Sequence, residues 1–81
     1  MPTNPRDAIR ASLKPQPGDQ VLAIDGRILG TVIEISEHQF CFDFRGRKVW
    51  LENSAVFTRR NRAVTLIYEE MGVLRNQAQA G

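Results

Sequence analysis

The chain is short of nearly everything that advertises chemistry. It has one cysteine, Cys41, and one histidine, His38, in 81 residues. A single cysteine excludes an internal disulfide and fits a reducing compartment, so a cytoplasmic setting is expected. One histidine and one thiol fall short of the three or four convergent ligands a metal site needs. Glu37 and Asp43 lie nearby but alternate on and off the same face. As a nucleophilic pair, Cys41 and His38 would also need an oxyanion hole and a cleft, for which a chain this short has little room.

Other absences narrow the field further. No apolar run approaches the roughly 18 residues that span a membrane. The opening Met1-Pro2-Thr3-Asn4-Pro5-Arg6 has no apolar signal-peptide core. No lysine follows Gly30 and no helix is expected after it, which argues against a phosphate loop. Asp25, Glu34, Asp43 and Glu52 fall on different elements, with no spacing that pairs an acid with a base. No catalytic residue, cofactor or metal is assigned, and an enzyme is the least expected class.

What is present is a run of short strands. Apolar residues make up 42% of the chain, enough for one core and too many for general disorder. Asp25-Gly26 between apolar runs is a hairpin signal, because glycine supplies positive φ without steric cost. It separates strands expected over residues 20–24 and 28–36. In the second, Leu29, Thr31, Ile33 and Ile35 alternate onto one face against Gly30, Val32 and Glu34. Gly30 suits a bulge or a sharp bend. Phe40, Phe42 and Phe44 alternate along a third strand and read as a core face, with base stacking as the alternative. Arg45-Gly46 turns into a fourth strand over residues 47–51, where Trp50 opposes Val49 and Leu51. Val56 and Phe57 return to the core, and residues 58–62 form a basic loop. A last strand over residues 63–68 is apolar on both faces and must be covered twice. A short helical turn follows at residues 69–74.

The flanks differ in character. Residues 1–17 form an N-terminal arm, in which Asn4 suits a helix cap and Ile9 and Leu13 share a face. Residues 18–75 form the folded domain, and residues 76–81 a disordered tail.

Net charge is only +2, but it is unevenly spread. Arg45, Arg47, Lys48, Arg59, Arg60 and Arg62 face a single acid, Glu52, so this stretch carries +5 and the remainder −3. Such a segment forms either ordinary solvated loops or a patch for a polyanion.

Gly18-Asp19-Gln20-Val21 leads into Asp25-Gly26-Arg27-Ile28-Leu29-Gly30-Thr31-Val32. A Phe-rich strand follows, then Trp50-Leu51, a turn ending at Val56, and a final apolar strand with an acidic helix start. This order over residues 17–74 resembles the PRC-barrel family, which includes the reaction-centre H subunit and a domain of ribosome-maturation factors. Many relatives have proline after the apolar residue that ends the fourth strand, and here Glu52 follows Leu51. The resemblance implies an all-β barrel of five to six strands used as a docking module, and no catalytic residues.

The expected function is therefore non-catalytic protein interaction with self-association, most simply as a homodimer, alongside an unidentified protein partner. The strand over 63–68 and the marginal core of so small a chain motivate that expectation. The expected interface draws on Trp50, Leu66, Ile67, Tyr68, Met71 and Leu74. The alternative is an RNA- or ribosome-associated barrel that uses the six cations. The two separate on whether those cations share one face.

Overall fold

The structure is a computed structural model and describes residues 14–78. The expected arm turn at Asn4 to Leu13 and the last three residues lie outside that range. Six strands form one mixed sheet in the order β4-β3-β2-β1-β6-β5. They are β1 Gln20–Leu22, β2 Ile28–Ile35, β3 Gln39–Phe44, β4 Arg47–Glu52, β5 Val56–Arg60 and β6 Ala63–Leu66. A 3-10 turn at Asn53–Ala55 links β4 to β5, and among the described residues a single short helix, α1, spans Glu70–Arg75. β1 and β6 pair in parallel, and the other pairings are antiparallel. The ladder is open, with β4 and β5 as its edges, so it lacks the hydrogen-bonded closure of a barrel. Among the described residues no helix is long and apolar enough to cross a membrane.

One core serves both halves of the sheet. Phe40, Phe42, Val49, Leu51 and Val32 from one half cluster with Val21, Val64 and Leu66 from the other, and Val73 of α1 joins them. The Phe40 and Phe42 rings stack at 6.2 Å, and Phe44 meets Phe42 edge-on at the same spacing. Both are favourable aromatic geometries. Gly30 pairs with Phe44 across β2 and β3, and a Cβ there would overlap the Asp43 carbonyl oxygen. Its role is close backbone approach.

Several expected boundaries shift. The basic loop over residues 58–62 is mostly strand β5, because Val56, Phe57 and Thr58 are good strand formers and the turn needs only Asn61 and Arg62. Both of these residues have positive φ, 50° and 62°, which is the two-residue type I′ pattern without glycine. Arg45 and Gly46 form the matching turn between β3 and β4, at 52° and 84°. Between β1 and β2 the connection is longer. Ala23 N–H donates to the Arg27 carbonyl, and Gly26, at φ 91°, closes a turn onto the Ala23 carbonyl.

Bulges overturn the simple alternation. Ile33 is the extra residue where β2 slips against β3, so Val32 is buried while Ile33 and Ile35 are exposed. Phe57 is the extra residue in β5 and stands 62% exposed instead of returning to the core. Residues 76–78, within the expected tail, hydrogen-bond to the folded domain. The Asn76 N–H donates to the Gly72 and Val73 carbonyls and caps α1, and Ala78 N–H donates to the Trp50 carbonyl on the β4 edge.

Candidate interaction surface

Cross-strand partners point to the same face of a sheet, so the register sorts the side chains. Val21, Val64, Phe42, Phe44 and Val49 lie on the core face. On the opposite, outer face two rows run across the strands. One is Lys48, Asp43, Thr31, Gln20, Ala63 and Arg60. The next is Ile28, Leu22, Thr65 and Thr58. Ile24 and Ile67 continue β1 and β6 beyond that second row. Ile24 N–H donates to the Tyr68 carbonyl, and Ile67 N–H to that of Ala55.

Large apolar side chains remain exposed along this end of the outer face. Ile28 is 66% exposed, Phe57 62%, Ile67 45% and Ile24 43%. Isolated exposed apolar residues are ordinary, but adjacent ones on one face mark interaction surfaces. Of the residues expected at an interface, Ile67, Met71 and Leu74 are exposed. Trp50 and Tyr68 are half-buried, and Leu66 is buried in the core with no surface to offer. Sequence reading missed Ile24, Ile28 and Phe57, whose exposure is set by loop geometry and bulges rather than by composition. Cys41 shares the outer face with Trp50 and Glu34 yet is fully buried. Burial, with the Glu34 charge, pushes its thiol pKa up, away from the reactive thiolate.

The six cations do not gather. β3 runs into its turn past Phe44, while β5 and β6 meet beyond the Arg60–Ala63 pair. In the shared register, Asp43 lies level with Ala63 and Phe44 level with Val64. The two basic turns therefore point to opposite ends of the strands. Two of the six cations also have internal partners. Arg45 reaches Glu70 at the start of α1, 2.8 Å away. Arg59 grips Asp19 through two hydrogen bonds, Nε to Oδ2 at 2.6 Å and Nη2 to Oδ1 at 3.0 Å.

Asp19 is 1% exposed and also accepts the Gln16 N–H at 2.9 Å. Burial pushes its pKa up, but the Arg59 and Gln16 hydrogen bonds and the charges of Arg59 and Arg62 outweigh that and hold it below the usual carboxylate value. The same contact raises the Arg59 pKa. The pair ties the entry to β1 onto edge strand β5, across 40 positions of sequence. Arg47, Lys48, Arg60 and Arg62 are exposed.

Among the described residues no three His, Cys, Asp or Glu side chains are placed to hold a metal ion. A shallow hollow of about 360 Å³ lies between the 3-10 turn and the end of α1, where Glu52, Tyr68 and Arg75 are among its lining. Asp25 and Gly26 occupy the β1–β2 connection, where the Asp25 carboxylate accepts the Arg27 N–H at 3.2 Å, whereas Gly30 lies within β2. Comparison with known protein families, with curated proteins and with solved structures finds no match.

Proposed function

We propose that the chain is a non-catalytic interaction module that associates with itself. The observation that carries this reading is the set of exposed apolar side chains, Ile24, Ile28, Phe57 and Ile67, at one end of the outer sheet face. A domain with so small a core gains from covering such a face. The PRC-barrel resemblance supports the same reading. Its Asp25-Gly26 and Gly30 signature falls on the β1–β2 hairpin, and the sheet wraps a single core with α1 against it. In this reading the domain is a small PRC-barrel-like unit whose seam between β4 and β5 is bridged by the 3-10 turn rather than by strand pairing. The lone, buried thiol suits a reducing, cytoplasmic setting.

The polyanion alternative has less support. Arg45 and Arg59 are engaged by carboxylates, and the hairpins that carry the cations point apart. Light scattering over a dilution series tests the proposal. At about 10 μM and above the expected mass is twice the 9.2 kDa of the chain, falling toward the monomer on dilution. A monomer at every concentration, or salt-steep binding of an RNA oligomer, would overturn it.

A further inference from the structure

β4 is an edge strand, and its alternation shows which backbone groups it leaves outward. A two-residue turn joins β3 to β4, so Phe44 and Arg47 form a hydrogen-bonded pair, and such pairs recur at every second position. The pattern persists one step beyond the ladder, where Asn53 N–H donates to the His38 carbonyl at 2.8 Å. Arg47, Val49 and Leu51 therefore direct their backbone groups to β3. Lys48, Trp50 and Glu52 turn theirs toward the edge that no strand covers. Among the described residues a single backbone bond reaches those groups: Ala78 N–H donates to the Trp50 carbonyl at 2.8 Å.

The side chains along this edge match a reversed copy of themselves. An antiparallel copy of the same strand, centred on Trp50, sets Lys48 against the partner's Glu52 and Glu52 against the partner's Lys48. All three positions are of the outward kind, so each opposed pair exchanges both of its N–H···O bonds. Opposite charges directly across from one another favour this register, whereas a parallel copy in register sets like charges together. Lys48 and Glu52 are exposed, and neither has an ion-pair partner among the described residues. We infer that the β4 edge is a second site for a copy of this chain, paired antiparallel about a two-fold axis at Trp50 and guarded by the C-terminal segment through Ala78. Such a contact is isologous. It uses one strand rather than a face, so the curvature of the sheet does not disturb its register.

The guarded carbonyl is the centre of the register. While Ala78 holds it, the partner's Trp50 N–H has no acceptor, and the pairing loses its middle pair. Unpaired edge groups are a template for another chain, and proteins blunt them with charge or cover them. Here the charges are arranged to suit a second copy, and the cover is one bond near the end of the described chain. This goes beyond the self-association reading above, since Ile24, Ile28, Phe57 and Ile67 all lie off β4. The edge contact rests on hydrogen bonds and charge, the other on apolar area, and each can fail alone.

The test opens the edge and then exchanges its charges. Ala78→Pro removes the guarding N–H from the full chain, whereas Ala78→Gly keeps it. At about 100 μM, sedimentation should give Ala78→Pro a greater mass than the wild type, and Ala78→Gly the wild-type mass. In the Ala78→Pro background, Lys48→Glu and Glu52→Lys each place like charges at both opposed pairs and should weaken the edge contact about tenfold. Mixing those two variants sets the glutamates of one against the lysines of the other and should restore the contact, as a mixed pair, to within about threefold. Recovery on mixing is specific to the antiparallel register, and damage to either fold would not produce it. An Ala78→Pro chain with unchanged mass, or two charge variants that do not recover on mixing, overturns the edge site and leaves the apolar-face reading standing. A wild-type monomer overturns the apolar-face reading alone, and Ala78→Pro should then convert that monomer to a dimer.

Discussion

Two hairpins of almost equal design hold their places by different physics. β3–β4 and β5–β6 each turn through two residues of positive φ, and each has arginine at the turn. The first is anchored by what it buries. Phe40, Phe42, Phe44, Val49 and Leu51 put a full row of apolar side chains into the core. The second is anchored on β6 by Val64 and Leu66, but its edge strand β5 gives the core only the partly buried Val56. Beyond that, β5 is held by Arg59 on the buried Asp19. A hairpin at the sheet edge can thus be fixed by one charged pair where its neighbour needs a whole apolar face.

The largest effect expected from this contrast is on the apolar side. Phe42→Ala removes a fully buried ring that touches both neighbouring phenylalanines, and should cost about 3–5 kcal/mol. For a domain of this size that approaches the whole stability. Urea titration should show a largely unfolded chain in buffer, and near-native stability would mean that the phenylalanine row does not anchor the core.

The charged anchor should respond to substitution and to pH. Arg59→Ala leaves the Asp19 carboxylate buried without its counter-charge, at about 3 kcal/mol. Arg59→Lys should recover only part of this, since a lysine cannot make the two-pronged contact. Folding lowers the Asp19 pKa below its ordinary value of 3.8. The stability from this group is therefore complete above that value and is lost as pH falls through the lower, folded-state pKa. Thermal melts between neutrality and about pH 2 should show this loss, and Asp19→Asn should flatten it while lowering the neutral-pH stability. An unchanged acid profile in Asp19→Asn would mean that the pair contributes nothing to holding β5.

The same contrast explains what was legible in the sequence. β3 and β4 were readable because alternation, a glycine at the turn and a uniform pleat all agreed. β5 was hidden for three reasons. Its turn has no glycine, its bulge puts Phe57 on the wrong side of the alternation, and its arginines read as solvated. The partner that explains Arg59 lies 40 residues away, and no local pattern reports such a pairing. Ile67, Met71 and Leu74 could be flagged as surface candidates from their place in an apolar strand and helix. Ile28 and Phe57 could not, because register slips rather than residue types decide which face they take.

The smallest effect separates the two turns themselves, and its sign is the informative part. Gly46 sits at φ 84° and Arg62 at φ 62°. For a residue with a Cβ, the left-handed region costs roughly 1–2 kcal/mol. Gly46→Ala should therefore destabilise the β3–β4 turn by about 1 kcal/mol. Arg62→Gly moves the other way and should stabilise by about 0.5 kcal/mol, less than the full relief because glycine also gains freedom in the unfolded chain. One term opposes that gain. The Arg62 charge helps to hold Asp19 ionised, and glycine removes it. Salt screens that attraction but not the backbone relief, so the benefit of Arg62→Gly should be larger at about 1 M salt than at low ionic strength. Urea midpoints at constant slope measure both variants. If Arg62→Gly destabilises even at high salt, the turn is not strained at this residue, and the two hairpin tips differ in more than the identity of one residue.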